Sequence, residues 1–576
     1  MTNAQLAAAF DQIADILDFQ GANPFRVRAY RNGARVVGDY SESLAAIVRE
    51  SPDELTKIEG IGAELALKIK TLVLTGELPF LKELQAQVPE SVLALMRIPG
   101  LGPKKAAVLH KELGVQSLDQ LRAACEAGEV RKLKGFGEKT EQLILKGIGQ
   151  AEVANKRILW AEADLVVAAL REHLRPTPGI TQLEFAGSYR RGKDTIGDLD
   201  VLVTSSEPSA IMDAFGGFAE VAEVITRGDT KMSVRTHKGL QIDLRVVPQE
   251  SFGAALQYFT GSKEHNVTLR GLAKDRGLKI NEYGVFQVEG ERETRVCGAT
   301  EEEVYAALDL PLFPPESREN RGEFALADAG DLPRLIEVDD IRGDLHMHTH
   351  ATDGSALIAE MVAAARARGL SYIAITDHSQ RVSMARGLNS ERLLAQWAEI
   401  DALRPTLPKG FTLLKGVECD ILEAGGMDLP DEVLAQADWV LASVHYGQKQ
   451  SREQITARIL GAIENPHVDC IAHPTGRLLN KREAYEVDLD AVYAAAKKHG
   501  KLLELNANPY RLDLNDVACA AAKRHGIPIV IDTDSHSVDG FNVLRYGVLQ
   551  ARRGGLTKED VANTRTWPQF KKLLNP

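Results

Sequence analysis

The chain is poor in cysteine and has no long apolar run, and both absences narrow the class of protein. Its 576 residues include five cysteines, which are scattered, odd in number and never spaced as C-x-x-C. We therefore expect neither a disulfide framework nor a zinc ribbon. We expect the protein to be in a reducing compartment. Without an apolar run of membrane-spanning length, a signal peptide or an acylation pattern, we expect a cytoplasmic protein with no membrane contact.

The chain also lacks an excess of positive charge, which argues against tight non-specific binding of nucleic acid. Its formal net charge is −12, and residues 1–160 are nearly neutral, with 21 Lys and Arg against 20 Asp and Glu. Attraction for phosphate must then come partly from metal ions and helix N-termini. An apolar content of 44% is ordinary, and the length exceeds what one core normally holds, so three or four globular domains are expected.

What the chain does have is a pair of aspartates at the start of an apolar run. In GSYRRGKDTIGDLDVLV (187–203), Asp198 and Asp200 are two residues apart, so both side chains point to one face of a strand. Asp243 lies in a second strand-like run, LQIDLRVV. An isolated Asp-x-Asp is commonly a solvated strand end, but three carboxylates on neighbouring strands suit two-metal phosphoryl transfer.

The segment before these aspartates is suited to phosphate binding. Gly187 and Ser188 can form a turn whose N–H groups face phosphate, and Arg190 and Arg191 can hold phosphate oxygens. With this context the chain resembles the nucleotidyltransferases related to DNA polymerase β, the family X DNA polymerases. Their palm signature is Gly-Ser, about ten residues, Asp-x-Asp and a third Asp on a later strand.

This resemblance implies a set of site residues. The aspartates Asp198, Asp200 and Asp243 would be catalytic, holding two Mg²⁺ or Mn²⁺ ions that act on dNTPs and on gapped or primer-template DNA. A second segment, YFTGSKEHNVTLR (258–270), resembles the family's sugar- and base-contacting turn, and Arg270 would contact the template. The implied nucleotide contacts are Arg157, Gly187, Ser188, Arg191, Gly197, Tyr258, Phe259, Gly261 and Asn266.

The last third of the chain is rich in histidine, with 10 of the 14 histidines at or beyond position 346. These histidines and several acids follow short apolar runs spaced by Ala-rich amphipathic stretches, which predicts βα units whose strand ends share one face. A lone buried histidine is more often a core residue. Here nine candidate metal ligands follow successive apolar runs: His346, His348, Asp353, His378, Glu418, His445, His473, Asp534 and His536.

This pattern resembles the PHP (polymerase and histidinol phosphatase) family of metal-dependent phosphoesterases. The resemblance implies a distorted (β/α)7 barrel with up to three Mn²⁺, Zn²⁺ or Fe²⁺ ions and a 3′–5′ exonuclease activity, with apurinic-site endonuclease activity left open. Asp344 would orient a ligating histidine, and His350 is left unassigned. Two alternatives stay open: a structural barrel, and hydrolysis of a small phosphate ester.

Three repeats near the N-terminus share paired glycines followed by an amphipathic helix. They are IEGIGAELALKIK (58–70), IPGLGPKKAAVLH (98–110) and LKGFGEKTEQLIL (133–145). One copy is often a mere helix-connecting turn, but three match the helix-hairpin-helix pattern, in which glycine lets the backbone approach DNA phosphate. The predicted DNA contacts are Gly60, Gly62, Gly100, Gly102, Lys104, Gly135 and Gly137.

The first repeat also resembles the small lyase domain of family X polymerases. Lys68 falls at the family's Schiff-base lysine, and Tyr30 matches another pocket residue. However, Glu64 and Phe25 replace a lysine and a histidine of that pattern, and a nearby carboxylate favours a charged, unreactive amine. Lyase activity and a simple solvated helix position for Lys68 both stay open.

The motifs divide this multidomain α/β and α+β chain into six segments. They are a small helical lyase-like domain (1–85), a helical fingers region (86–155), a nucleotidyltransferase palm (156–250), a nucleotide-selecting thumb (251–312), a linker (313–340) and a PHP barrel (341–576). We expect a nucleoid-associated monomer that fills short gaps during DNA repair. The alternative is a DNA-end-binding scaffold with weak polymerase activity.

Overall fold

The computed structural model describes residues 1, 3–40, 43–98, 101–154 and 157–574. The chain divides into two units, Met1–Arg157 with His237–Leu240 and Ile158–Thr236 with Gln241–Pro576. The first unit carries the glycine-pair repeats, and the second carries both groups of candidate metal ligands. Within the described residues, no helix has the length and apolar character that crossing a membrane requires.

The first unit is built from helices joined by tight glycine turns. In its described part the helices are Asn3–Phe19 (α1), Pro24–Asp39 (α2), Leu44–Glu50 (α3), Ala63–Thr75 (α4), Pro79–Gln87 (α5), Glu90–Leu93 (α6), Pro103–Leu113 (α7), Leu118–Glu126 (α8) and Glu138–Ala154 (α9). Gly60 and Gly135, at φ +89° and +88°, adopt a left-handed conformation that glycine tolerates without strain. Phe10, Ile69 and Leu109 are fully buried in the apolar core that holds these helices together.

The predicted palm is a mixed sheet flanked by helices. Its elements are Ile158–Leu159 (β1), Trp160–Leu174 (α10), Ile180–Phe185 (β2), Gly187–Arg190 (α11), Thr195–Ile196 (β3), Asp198–Ser205 (β4), Pro208–Gly216 (α12), Val221–Arg227 (β5), Lys231–Thr236 (β6) and Gln241–Val246 (β7). The sheet order is β2-β4-β7-β6-β5, with the parallel pair β4 and β7 next to each other. Val201, Leu202 and Val203 are fully buried, so β4 is anchored on both faces.

The predicted thumb and linker form one packed region. Its elements are Phe252–Thr260 (α13), Lys263–Asp275 (α14), Leu278–Asn281 (β8), Gly284–Glu289 (β9), Arg292–Cys297 (β10), Glu301–Ala306 (α15) and Glu323–Ala329 (α16). In the segment predicted as a linker, Phe313 and Arg318 are fully buried. The Arg318 guanidinium lies 2.5 Å from Glu301 and donates to the Phe313 carbonyl, which ties this segment to α15.

The C-terminal part is a nearly closed barrel of parallel strands. Its elements are Gly343–Asp344 (β11), Ile358–Ala367 (α17), Tyr372–Ile375 (β12), Ser390–Leu403 (α18), Thr412–Asp420 (β13), Asp431–Leu434 (α19), Trp439–Ser443 (β14), Arg452–Glu464 (α20), Cys470–Ile471 (β15), Leu489–His499 (α21), Leu502–Asn506 (β16), Asp516–Arg524 (α22), Ile529–Asp532 (β17), Leu544–Arg553 (α23) and Trp567–Leu574 (α24). In the described residues the seven strands pair in chain order from β11 to β17, and a bridge between Met347 and Ser535 brings the two ends of the sheet together. This arrangement confirms the predicted distorted (β/α)7 barrel.

Candidate active sites

The three predicted palm aspartates lie on adjacent parallel strands. Asp198 and Asp200 begin β4, and Asp243 lies in β7, where its Cα pairs in register with that of Asp200. Since the strands are parallel and in register, the Asp200 and Asp243 side chains stand on one face of the sheet. A Cβ on Gly187 would lie 2.6 Å from Asp200 Oδ2, so the absence of a side chain lets this turn approach the carboxylate.

The Asp200 carboxyl lies in a buried and strongly anionic setting. Burial, followed by the charges of Asp198 and Asp243, raises the pKa of Asp200 to about 7. Asp243 accepts hydrogen bonds from the Ser233 hydroxyl and, at 3.0 Å, from Gln241 Nε2. Carboxylates that repel one another in this way fit divalent cations, which prefer oxygen ligands and would neutralise the repulsion.

In the predicted triphosphate-binding turn, Arg191 already makes contacts with other residues of the protein. Gly187 begins α11 with φ +64°, and Arg191 follows that short helix. Arg191 Nε lies 3.0 Å from Glu319 Oε1, and its Nη1 donates to the Thr260 carbonyl. A triphosphate would therefore meet an arginine with internal partners. Three further predicted nucleotide contacts lie at exposed or half-buried positions: Arg157, Ser188 and Gly197.

The predicted sugar- and base-contacting residues lie in α13, α14 and the turn between them. Tyr258 and Phe259 pack edge to face, with ring centroids 5.1 Å apart. Asn266 is buried, and its Nδ2 donates to the Tyr258 carbonyl at 2.7 Å. Gly261 forms the turn at φ +71°, and Arg270 Nε donates to the Asn266 carbonyl at 3.2 Å. Their roles toward nucleotide and template stay predictions.

The predicted barrel ligands converge in overlapping clusters, because they lie at or just beyond the C-terminal ends of barrel strands. Among the described residues, three groups offer ligand atoms within 4.8 Å of one another: His348, Asp353, His378 and His536; His346, His348 and Asp534; and His378, Glu418 and His445. The remaining predicted ligand, His473, places Nε2 2.9 Å from Glu418 Oε1. The structure thus brings all nine predicted ligands together.

Glu418 lies at the centre of this ligand group. Its carboxylate lies 2.7 Å from His378 Nδ1, 2.9 Å from His473 Nε2 and 3.5 Å from His346 Nε2. Although burial opposes ionisation, the neighbouring imidazoles hold the pKa of Glu418 well below its usual range. Neither ring nitrogen of the buried His348 makes a well-oriented hydrogen bond in the described part of the chain, although its Nε2 lies 3.2 Å from Asp534 Oδ1. Buried imidazole nitrogens that lack well-oriented hydrogen bonds and lie beside ionised carboxylates fit transition-metal cations.

Known protein families match the regions that carry the palm carboxylates, the glycine-pair repeats and seven of the nine barrel ligands. The matching families are a helix-hairpin-helix domain (1–78), a SAM-like helix-hairpin-helix tandem (92–150), the DNA polymerase β palm (157–249), the DNA polymerase β thumb (255–319) and the PHP domain (344–508). The palm match contains all three aspartates. The PHP match ends before Asp534 and His536, which the structure nevertheless places in the ligand group.

A relative of the same length decides the assignment. The chain is 40% identical over 577 residues to the Bacillus subtilis (strain 168) DNA polymerase/3′-5′ exonuclease PolX, covering 100% of this chain and 99% of that protein. The chain belongs to the family X DNA polymerases. It is also 32% identical over 212 residues to a "Probable phosphatase" of Acetivibrio thermocellus, covering 35% of this chain and 82% of that protein. A similarly described Thermoanaerobacter protein is 30% identical over 234 residues, covering 38% and 89%.

The barrel of this family X polymerase contains buried acids that the motifs did not single out. Glu504, in β16, lies 2.5 Å from His346 Nδ1 and accepts the His473 amide at 2.6 Å. Asp420, at the end of β13, accepts the His445 amide at 2.9 Å and lies 3.2 Å from its Nδ1. Both acids can orient a ligating imidazole. Glu504 follows the apolar pair Leu502 and Leu503, as Glu418 follows Gly416 and Val417, so an acid directly after a short apolar run was the available signal.

The Asp344 carboxylate contacts Thr533 and the backbone amide of His346, both next to predicted metal ligands or part of them. It accepts the Thr533 hydroxyl at 2.6 Å and lies 3.4 Å from the His346 amide. These contacts fix the main chain that carries His346 and Asp534, whereas the His346 imidazole itself is held by Glu504. The prediction that Asp344 orients a ligating imidazole stays a prediction.

The helix-hairpin-helix glycines lie where the chain turns into a helix. Gly62 and Gly102 directly precede α4 and α7, and Gly137 precedes α9. Lys104 is exposed in the first turn of α7. Gly100 lies outside the described residues. Contact between these turns and DNA phosphate stays a prediction for this family X polymerase.

Lys68 lies in a setting that keeps its amine charged. Its Nζ is 2.6 Å from Glu64 Oε1, and the Tyr30 hydroxyl donates to the same oxygen at 2.7 Å. Burial alone lowers the pKa of Lys68, but the hydrogen bonds with Glu64 and Tyr30 outweigh burial and raise it. Only the neutral amine forms an imine with an abasic sugar, so lyase reactivity should be weak at neutral pH.

Glu64→Gln is expected to increase lyase reactivity several-fold, because it removes the carboxylate that keeps Lys68 protonated. The measurement is borohydride trapping of protein on DNA that contains an abasic site, at neutral pH. Lys68→Ala should trap nothing, and Glu54→Gln, which changes an exposed acid paired with Lys57, should trap as the unmodified protein does. Equal trapping by the unmodified protein and Glu64→Gln would contradict the expected effect.

Proposed function

We propose that this family X polymerase fills short gaps in DNA during repair, including base excision repair. The proposal rests on the pairing of Asp200 with Asp243 in adjacent strands and on the closeness of Gly187 to the Asp200 carboxylate. These contacts place the three carboxylates beside the predicted phosphate-binding turn. Two Mg²⁺ or Mn²⁺ ions held by Asp198, Asp200 and Asp243 would supply Lewis acidity toward the phosphoryl oxygens. The protein would act as a monomer on dNTPs and gapped DNA, in the cytoplasm at the nucleoid.

Other palm and thumb residues bind and orient the nucleotide. Ser188 and Arg191 hold the triphosphate, which fixes the α-phosphate in line with the primer 3′-OH. Tyr258 and Phe259 occupy the space beside the sugar, where a ribose 2′-OH would otherwise fit. Their edge-to-face packing supports this role, because two mutually packed rings cannot move aside independently.

We infer that the barrel is the 3′–5′ exonuclease centre and holds Mn²⁺, Zn²⁺ or Fe²⁺. One side of its ligand group is buried and the other is exposed to solvent. The exposed side supports binding of the 3′ end of a DNA strand. His346 and His348 are fully buried, whereas the side chains of Asp353 and His536 are 36% and 39% exposed. A terminal phosphodiester would approach at Asp353 and His536.

The two shorter relatives favour a second candidate for the barrel. Both are described as phosphatases, so hydrolysis of a small phosphate ester is an alternative activity of the same ligands. Cleavage at an apurinic site is a further activity proposed for this centre. Release of phosphate from p-nitrophenyl phosphate, compared with shortening of a labelled primer by the same sample, separates the phosphatase from the exonuclease.

A 5′-labelled primer on three duplexes tests the gap-filling proposal. The duplexes have a one-nucleotide gap with a 5′-phosphate, a long gap, and an open template. We expect kcat/KM on the one-nucleotide gap to be about tenfold higher than on the open template, because helix-hairpin-helix turns can bind the backbone on both sides of a short gap. Equal extension of all three would contradict gap filling as the function, while polymerisation itself would stand.

A further inference from the structure

A helix of the PHP barrel packs directly against the phosphate-binding turn of the palm. In α23, Leu549 lies so close to Gly192 that a Cβ on that glycine would be 2.5 Å from Leu549 Cγ. Gln550 Nε2 donates to the Gly192 carbonyl at 3.2 Å, and Arg553 Nη1 donates to the Arg191 carbonyl at 2.7 Å. The barrel therefore supports the backbone that carries Arg191.

One carboxylate oxygen links an arginine of the palm to an arginine of the barrel. Glu319 Oε1 lies 3.0 Å from Arg191 Nε, 2.9 Å from Arg553 Nη1 and 3.5 Å from Lys193 Nζ. The side chains of Glu319 and Arg553 are 8% and 1% exposed, so solvent screens their charges little. Although burial opposes ionisation, Arg553, Lys193 and Arg191 lower the pKa of Glu319 to about 2. The carboxylate is therefore an anion at any physiological pH.

Arg553 is fixed from the barrel side as well. Its Nη2 lies 2.7 Å from Asp516 Oδ2, and Asp516 also pairs with Arg321 Nη1 at 3.0 Å. Among the described residues, this cluster sets four cations (Arg191, Lys193, Arg321 and Arg553) against two carboxylates (Glu319 and Asp516). These side chains are between 1% and 31% exposed, and their excess positive charge favours a further anion such as a nucleotide triphosphate.

We propose that Glu319 competes with the triphosphate of the incoming nucleotide for Arg191, and that Arg553 of the barrel sets how strongly it competes. The proposal rests on the assignment of Arg191 to the triphosphate. Because Arg553 and Lys193 stay beside the same oxygen, Glu319 is not left as an unpaired buried anion when Arg191 leaves it, so releasing Arg191 costs less than breaking an isolated buried ion pair. The barrel thereby acts on nucleotide affinity in addition to its own chemistry.

Steady-state gap filling with E319Q, R553Q and the double variant tests this coupling through the KM for dNTP. We expect E319Q to lower KM about fivefold, because Arg191 loses its internal anion. R553Q should raise KM about fivefold, because Glu319 then binds Arg191 more tightly. Added to E319Q, R553Q should raise KM less than it does alone, since only the lost support of the Arg191 carbonyl remains and no Glu319 carboxylate is left to bind Arg191 more tightly. R553K keeps the charge and should lie closer to the unmodified protein than R553Q.

The competing outcomes can be separated. Shortening of a labelled primer in Mn²⁺ should be equal in all variants, which shows that the barrel is intact. An increase of KM in E319Q, or an equal effect of R553Q with and without E319Q, would overturn the proposal. If R553Q does not fold, the sign of the E319Q effect decides alone. An unchanged KM in R191Q would instead refute the assignment of Arg191 to the triphosphate.

Discussion

Asparagine in place of Asp200 is expected to reduce primer extension about a thousandfold and to leave primer shortening unchanged. Asparagine keeps the shape of the side chain but cannot carry the negative charge that holds a divalent cation beside Asp198 and Asp243. Shortening should persist because its proposed ligands are all in the barrel, on different strands. The measurement follows a 5′-labelled primer on a gapped duplex, with and without dNTPs, in Mg²⁺ and in Mn²⁺.

The matched control for this experiment is Asp229→Asn. Asp229 is exposed between β5 and β6 of the same sheet, so the chemical change is identical but lies outside the carboxylate group. It should extend primers within about twofold of the unmodified protein, as surface substitutions usually do. Extension that survives in the Asp200 variant would remove that residue from the catalytic group. Loss of both activities would show that extension and shortening depend on one centre.

The palm could be predicted in advance because its chemistry is encoded locally. A two-residue spacing fixes Asp198 and Asp200 to one face of a strand whatever the rest of the fold does. What the local pattern does not contain is the register of β7 against β4, which places Asp243 opposite Asp200. That register comes from packing on both sides of the sheet, so only the family resemblance could anticipate it.

The ion pair between Arg191 and Glu319 could not be predicted from local sequence patterns. The turn that carries Arg191 suits phosphate binding, yet Glu319 lies 128 residues further on, in a segment whose polar composition is typical of a linker. That segment is packed because buried charges such as Arg318 find partners in α15 and need a fixed geometry to do so. Arg191 and Glu319 are far apart in the sequence, and no local pattern around either residue predicts that they pair.

The barrel ligands could be predicted because a strand end is a local feature that repeats. Each apolar run followed by His or an acid points to the same end of a parallel barrel. The backbone at two ligands could not be predicted: His473 and Asp534 have φ of +29° and +54°, which non-glycine residues seldom adopt. Such conformations persist only where the surrounding contacts hold them, as Glu504 does through the His473 amide.

Glutamine in place of Glu418 is expected to reduce primer shortening about a thousandfold and to lower the bound metal content of the barrel. The Glu418 carboxylate faces His346, His378 and His473, and its charge offsets that of cations bound among those imidazoles. An amide supplies one oxygen without charge, and its N–H2 group would point at nitrogens or cations that need an acceptor. Metal content is measured by plasma mass spectrometry after loading with Mn²⁺, alongside shortening of the labelled primer.

Glu423→Gln makes the same chemical change a few residues away, where the acid pairs with Arg381 at the surface. It should keep both the metal content and the shortening activity, because its carboxylate lies outside the ligand group. Full metal content and unchanged shortening in the Glu418 variant would exclude this carboxylate as a ligand. Lost shortening with full metal content would place Glu418 in substrate binding instead. Primer extension within about twofold of the unmodified protein in both variants would show that the palm works independently of the metals in the barrel.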